Sequence, residues 1–358
     1  MNRIPPELLG AIYTILLPTP PCCLDFSTRY PTKQRIRDLN QLRLVSTRWN
    51  DVVVNTPELW NYIEISASWK DPRRMLERAG GFPLHVRIEC SVLDQIDHRF
   101  QKEVEAVWAT AERWRTYIVK GFALDNWFRL LPPDPLRIAE EVWLSGTDIT
   151  RPLDLHAPKL TTLFEDRCRP NIEITSAPYL KSWSTFLPDT VLEWGRLMRI
   201  VQQCPQLESL KFIQTSTARK TLQQSGLTEL TKILSFPSLV ELTITSNIGT
   251  CSLMGYIDAP KLEVLTIQDY WSPIPFSIPH PSSCPRLNRI RFSGNRLLGA
   301  VQRFLSRISK ESLDGVALEI GYYRLRDSPG LDSPGARAFE EQRKWFDSNF
   351  PVKWVLED

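Results

Sequence analysis

The sequence predicts an α/β protein: a small helical module at the N-terminus, then an irregular array of parallel strands joined by helices and loops. Three observations lead there. The first 65 residues hold the densest run of helix starts, helix stops and helical apolar spacing in the chain. From Trp114 onward an apolar pattern returns at leading positions 114, 139, 160, 180, 207, 239, 262, 287 and 313, spaced 20 to 32 residues apart. Finally, 358 residues exceed what one compact core usually holds, which leaves two domains or an elongated repeat. The expected division is a helical domain at 1–65 with an insertion at 18–37, a helix–strand connection and cap at 66–110, the strand array at 111–325, and a turn-rich linker with a terminal helix and strand at 326–358.

The first helix opens at Pro5 and Pro6, whose missing N–H groups cost nothing in a first turn. Glu7 then favours the helix dipole. Leu8 or Leu9, Ile12 and Leu16 recur at helical spacing, and Pro18 stops the run. A second helical run gathers Leu39, Leu42 and Val45. Ser46 is placed to cap a third helix carrying Trp49, Val52 and Val53, and Thr56-Pro57 repeats the cap-then-proline signal. Helices this short cannot bury all of these faces against one another, so the surplus apolar surface calls for a partner or a larger neighbour.

IPPELLGAIYTIL resembles the proline-leucine first helix of an F-box, and LNQLRLVSTRWNDVVVNTPELW resembles its second and third helices. The trailing TPELWNYIEI is similar to the version common in large F-box families of mushroom-forming fungi. The resemblance covers Ile4 to about Ile65. It departs from the family at Ile4, usually Leu, at Ser46, usually Cys, and at the 20 residues from Pro18 to Arg37, where the family has a short loop. The same residues also fit an ordinary capped helical hairpin inside a larger core. What the resemblance implies is docking to a Skp-type adaptor, and through it to a cullin scaffold, by Ile4, Pro5, Leu8, Leu9, Ile12, Leu39, Leu42, Val45, Trp49 and Val52.

Next along the chain, Pro72 to Gly81 reads as a helix closed by Gly80 and Gly81, and Leu84-x-Val86-x-Ile88 alternates like a strand. The repeat is clearest in CPQLESLKFIQT from Cys204, FPSLVELTITSN from Phe236, APKLEVLTIQDY from Ala259 and CPRLNRIRFSGN from Cys284. Each has Pro, then Leu two later, then apolar residues three and five beyond that Leu. The pattern resembles the leucine-rich repeat, L-x-x-L-x-L-x-x-N, with Asn247 and Asn295 kept and Thr215 and Tyr270 breaking the asparagine ladder. Weaker copies run through Trp114-Tyr117-Val119, Ala139-Val142-Leu144, Leu160-Leu163, Leu180-Trp183 and Leu313-Val316-Leu318. That resemblance implies a solenoid with parallel strands on its concave face, where one repeat alone leaves its apolar residues wet and neighbours must stack.

Helices are expected between strands. Thr190 and Glu193 form a capping box ahead of Trp194, Met198 and Val201, and Leu297, Val301, Phe304 and Ile308 share a face. The same features suit the core helices of another α/β protein. Two stretches break the rhythm: the proline-rich Trp271 to Pro285, and DSPGLDSPG from Asp327, in which Ser328 and Ser333 precede proline as they often do in exposed linkers. Ala336 to Phe350 reads as a helix with Phe339, Phe346 and Phe350 on one face, and Val352 to Leu356 as a last strand, together capping the array. The alternate strand residues that face outward form the expected substrate surface: Lys211, Ile213, Glu241, Thr243, Thr245, Thr266, Gln268, Arg289, Arg291 and Ser293.

Composition narrows the function classes. A net charge of +3 from 44 basic and 41 acidic side chains is nearly balanced, so no electrostatic footprint for nucleic acid is expected. The 12 tryptophans are not interleaved with a basic stripe and read as core and rim. Seven scattered cysteines make no C-x-x-C pair and fit a reducing compartment, the cytoplasm and/or the nucleus. Leu8 to Leu17 is apolar like a signal peptide, but Pro5, Pro6 and Glu7 replace the basic leader and no cleavage site comes after it. No run reaches the length of a membrane span.

Catalytic motifs are missing: there is no G-x-S-x-G, no phosphate-binding loop and no G-x-G-x-x-G, and His85, His98, His156 and His280 are too dispersed for a metal pair. No cofactor or metal is expected. A Cys–His pair assembled from distant segments stays open as a minor reading. Asp134, Glu140 and Glu141 read as a solvated face. The expected function, from the F-box resemblance, is a non-catalytic substrate receptor of a cullin-RING ubiquitin ligase, holding an unknown protein on its repeats. The alternatives are a repeat scaffold unconnected with ubiquitin, whose helical module is only a cap, and a hydrolase on an α/β fold.

Overall fold

The structure is a computed structural model and describes residues 4–16, 32–66, 72–90, 98–121, 136–145, 153–166, 172–186, 191–213, 234–245, 257–268, 284–293, 301, 302, 305, 313, 315–323 and 334–357. The chain is mixed α/β, with a large parallel sheet, and divides into two compact units. One holds Met1–Leu160 with Ile174–Ser176, the other Thr161–Glu173 with Ala177–Asp358.

The first unit begins with α1 (Pro6–Leu16), α2 (Thr32–Arg43) and α3 (Thr47–Val54), after which comes a 3-10 turn at Pro57–Trp60. Ser46 caps α3 as its sequence suggests: its hydroxyl accepts a hydrogen bond from the Trp49 N–H at 3.2 Å. Thr56 does not cap the 3-10 turn; its hydroxyl points back and donates to the Val52 carbonyl at 2.6 Å. α2 ends at Arg43, before Val45, because the chain turns at Leu44 and Val45 to present Ser46. It also begins at Thr32, inside the stretch expected as an insertion, the part from 17 to 31 lying outside the described residues.

Tyr62–Ser66, which falls within or beside the expected helical domain, is a strand, β1. Beyond it lie α4 (Pro72–Ala79), β2 (Leu84–Cys90), α5 (His98–Trp108), β3 (Trp114–Gly121) and β4 (Glu141–Ser145). β1 to β4 pair in chain order, all parallel. Parallel neighbours need a crossover of a dozen or more residues, which α4 and α5 supply between β1 and β3. Gly80 closes α4 with φ +52°, the left-handed backbone that only glycine adopts without a steric penalty. Ile63, Val86, Tyr117 and Val142 stand in one register row, each at most 1% exposed, and build the inner face.

Among the described residues, the second unit holds eight strands in one parallel order: β6 (Thr162–Asp166), β8 (Ser182–Phe186), β9 (Ser209–Ile213), β11 (Glu241–Thr245), β13 (Val264–Gln268), β14 (Arg289–Ser293), β15 (Ala317–Tyr323) and β16 (Val352–Glu357). Outside this order, β10 (Leu234–Ser235) and β12 (Ile257–Asp258) pair with each other, and β5 (Leu153–His156) of the first unit pairs with β7 (Ile172–Ser176), whose residues Ile174–Ser176 belong to that same unit.

A turn of fixed chemistry sets each copy. Proline locks φ at the second position of a four-residue turn, and the Leu two residues later donates its N–H back to the first residue: Leu160 to Ala157, Leu180 to Ala177, Leu207 to Cys204, Leu239 to Phe236, Leu262 to Ala259 and Leu287 to Cys284, at 3.0–3.3 Å. The first residue of each turn is buried and so is the Leu, except Leu287, which is half-buried. Leucine or isoleucine three positions on then enters the strand and stacks in register, as Leu210, Leu242, Leu265 and Ile290 do. Each such buried side chain contributes about 1.5–3 kcal/mol.

The last copy is shifted from its expected phase. Ile290 pairs with Leu318 and Phe292 with Ile320, so the position matching Leu287 is Gly315, at φ +76°, and not Leu313. Leu313 is buried two residues earlier and opens the turn, its carbonyl accepting from the Val316 N–H at 3.0 Å as that of Cys284 accepts from Leu287.

α6 (Val191–Gln203) and α7 (Pro334–Asn349) complete the second unit's described helices. α6 turns Arg196, Leu197, Ile200 and Val201 inward, while Met198 is half-exposed, so its buried face lies about one position from the expected one. Of the helix expected around 297–308, Val301 and Leu305 are described and buried; Leu297, Phe304 and Ile308 lie outside the described residues, as do Asn247, Asn295, Thr190, Ser328 and Ser333. Phe346 on α7 is fully buried and meets Trp354 of β16 edge-on at 5.9 Å.

Candidate docking face and outward strand row

α1 has two faces of opposite fate. Leu9 and Tyr13 point inward, Tyr13 packing on Trp49 with ring centroids 5.2 Å apart. Gly10 lies between them because there is no room for more: a Cβ there would stand 3.0 Å from the Thr56 hydroxyl oxygen. The opposite stripe, Leu8, Ile12, Ile15 and Leu16, is 58, 40, 81 and 71% exposed. Spacings of four, three and one put these four on one side of the helix. A second apolar pair, Leu44 and Val45, stands 86 and 58% exposed in the turn between α2 and α3.

This separates the residues expected to dock. Leu9, Leu39 and Val52 are at most 7% exposed and belong to the module's own core, so they are removed from the docking set. Leu8, Ile12, Val45 and Pro5 are exposed, and Ile4, Leu42 and Trp49 are half-buried. Trp49 is committed to Tyr13, and Arg48 donates to the Ile4 carbonyl, tying the start of the first helix to α3. Ile15 and Leu44 join the exposed set, although neither is among the residues the sequence points to. The 3.6-residue period that places Leu8, Ile12 and Leu16 together also places Ile15 with them, so a signal exists for one of the two.

Tyr13 gives a first expected result. Its hydroxyl is buried without a hydrogen-bond partner among the described residues, and burial pushes its pKa up to about 12. Tyr13→Phe should therefore change stability by no more than about 0.5 kcal/mol, with stabilisation the favoured sign. Thermal unfolding of the two chains checks this.

In the second unit the outward side of the strands carries a continuous row: Lys211, Thr243, Thr266, Arg291, Glu319 and Lys353 on β9, β11, β13, β14, β15 and β16. On one side of it run Glu241 and Arg289, and on the other Ile213, Thr245, Gln268 and Ser293. Thr245 donates to the Gln268 side-chain carbonyl at 3.0 Å. Ser293 is only 7% exposed and leaves the surface set.

Glu319 and Lys353 are absent from the expected surface, because that surface is drawn from the four clear copies alone and β15 and β16 lie beyond them. They change the electrostatics of the row's end: Glu319, itself 7% exposed, lies 3.7 Å from Arg289 and 3.2 Å from Lys353. The arginine end is therefore partly compensated. Ion pairs whose cations are this exposed contribute about 0–1 kcal/mol each. What the row offers a ligand is side-chain hydroxyls flanked by cations, able to hydrogen-bond an extended polar segment.

Among the described residues no three His, Cys, Asp or Glu side chains gather as metal ligands, and no described helix is long and apolar enough to cross a membrane. Cys204 and Cys284 are free and buried in the turns; burial raises both thiols, that of Cys204 to about 11, which keeps them protonated. No protein-family model, curated protein or solved structure matches the chain.

Proposed function

We propose that the chain is a non-catalytic substrate receptor of a cullin-RING ubiquitin ligase, its N-terminal helices acting as an F-box that docks to a Skp-type adaptor. The repeated turn-and-strand copies are read as irregular leucine-rich repeats whose outward residues hold the protein to be ubiquitinated. One observation carries the reading: α1 keeps Leu8, Ile12, Ile15 and Leu16 in water although Leu9, Tyr13, Leu39, Val52 and Val53 already complete the module's core. Large apolar side chains exposed in a stripe mark an interaction site. A receptor of this kind needs no reacting side chain; it raises the concentration of its cargo near a ubiquitin carrier bound elsewhere. The compartment would be the cytoplasm or nucleus, where such ligases work.

Co-expression with a Skp-type adaptor tests this. The wild-type chain is expected to co-purify with the adaptor, and Leu8→Asp with Ile15→Asp to lose it while the chain stays folded. Both positions face water, so neither change disturbs the core. Absence of wild-type binding, or equal binding by the variant, sinks the proposal.

A second reading has its own observation. Leu59, Trp60 and Val53 are buried where the helices meet the first strands, as a cap on the edge strand β1 would require. A scaffold capped in this way would be soluble and monomeric without an adaptor.

A further inference from the structure

Arg35 is an unusual residue to find inside: it is 4% exposed on α2, in a helix whose remaining surface is largely polar. Its guanidinium carbon lies 4.6 Å from the ring centroid of Tyr62 on β1. Tyr62 stacks in turn on His85 of β2, with centroids 4.4 Å apart and planes 11° from parallel. His85 Nδ1 then meets the Thr116 hydroxyl of β3 at 3.0 Å. Tyr62, His85 and Thr116 stand in one register row, on the side of the strands opposite Ile63, Val86 and Tyr117. A helix and three successive parallel strands are thus joined through four side chains.

We propose that this layer is a clasp that locks α2 onto the outward side of β1 to β3, so that helix and strands open as one unit. The chemistry suits a clasp. A guanidinium over a tyrosine ring is held by the ring's quadrupole, and two near-parallel rings add a directional contact. Burial first disfavours the charged imidazole there, and Arg115 and then Arg35 add to this, while Glu140, itself paired with Arg115 at 2.9 Å, opposes them. The clasp would make the N-terminal helices stiff relative to the first strands whatever binds them, so it does not depend on the receptor reading.

Native-state hydrogen exchange on the full chain tests it, comparing wild type with Tyr62→Ala, Tyr62→Phe and Arg35→Met. In the wild type, amides of α2 and β1 are expected to share one opening equilibrium. Tyr62→Ala should speed exchange in α2 by about ten-fold or more, while β9 to β14 stay unchanged and Tyr62→Phe, which keeps the ring, stays within about three-fold of wild type. Arg35→Met keeps the apolar stem and removes the cation; it should act like Tyr62→Ala on α2 if that variant unfolds the unit. α2 exchanging ahead of β1 in the wild type, or unchanged α2 exchange in both Tyr62→Ala and Arg35→Met, overturns the proposal. So does equal acceleration of every segment, or a Tyr62→Phe chain as loose as Tyr62→Ala.

Discussion

Glu165→Ala is expected to lower the stability of the second unit by about 3–5 kcal/mol, because it removes one partner of a buried ion pair. Glu165 is fully buried on β6, two residues beyond Leu163, at the place where the clear copies carry Phe212, Ile244, Ile267 or Phe292. Its two oxygens are both used: Arg196 of α6 donates to Oε1 at 3.1 Å, and the Thr185 hydroxyl of β8 donates to Oε2. Arg196 is 8% exposed, so little water is available to replace the lost carboxylate. The double change Glu165→Leu with Arg196→Met removes both charges and should recover most of the loss, to within about 1 kcal/mol of wild type. Urea unfolding of the three chains gives the comparison. A loss below about 1 kcal/mol for Glu165→Ala would mean that the pair is not buried in solution.

Acid should weaken the first unit through His85. The ring's pKa is lowered from 6.5 to about 4, first by burial, then by Arg115 and Arg35, with Glu140 opposing. Between these values the unfolded chain binds a proton that the folded chain refuses, so stability falls as pH drops from 6.5 to 4 and this contribution is flat above about pH 7. A factor of ten in proton affinity is about 1.4 kcal/mol, which sets the full effect at roughly 3 kcal/mol. Carboxylates titrate in the same window, so the measured quantity is the difference between wild type and His85→Phe. Chemical unfolding at pH 7 and pH 4.5 should show a larger loss in the wild type. Equal losses would mean that His85 takes up its proton as easily folded as unfolded.

The strands are legible in the sequence because their determinants are local. Proline before Leu207, Leu239, Leu262 and Leu287 dictates a turn, and the alternation beyond it dictates which side is inward; both are carried by a dozen residues. Leu160 and Leu180 carry the same proline, at Pro158 and Pro178, and need no weaker argument than the others. The last copy misleads for the same reason the rest succeed. Gly315 replaces its leading leucine, and an apolar rule slides to Leu313, two residues upstream. That slip keeps every side chain on its own face of the strand, so nothing in the alternation warns of it.

The candidate docking face is only half legible. Spacing shows which residues share a helix stripe, but α1 is apolar on both sides, so the sequence cannot say which of Leu8 and Leu9 turns inward. In the fold Gly10 shares the buried side with Leu9 and Tyr13, and a Cβ there would stand 3.0 Å from the Thr56 hydroxyl oxygen. The Arg35 clasp and the Glu165 pair are illegible because each joins residues 20 to 81 positions apart, and a buried charge is written in the sequence as an exposed one.

The most direct test of the receptor reading is the heat of mixing the purified chain with a purified Skp-type adaptor, measured at several temperatures. Burial of the α1 stripe predicts saturable binding with a negative heat-capacity change, both abolished by Leu8→Asp with Ile15→Asp. No saturable heat from the wild type at any temperature, or an unchanged isotherm from the variant, would contradict it.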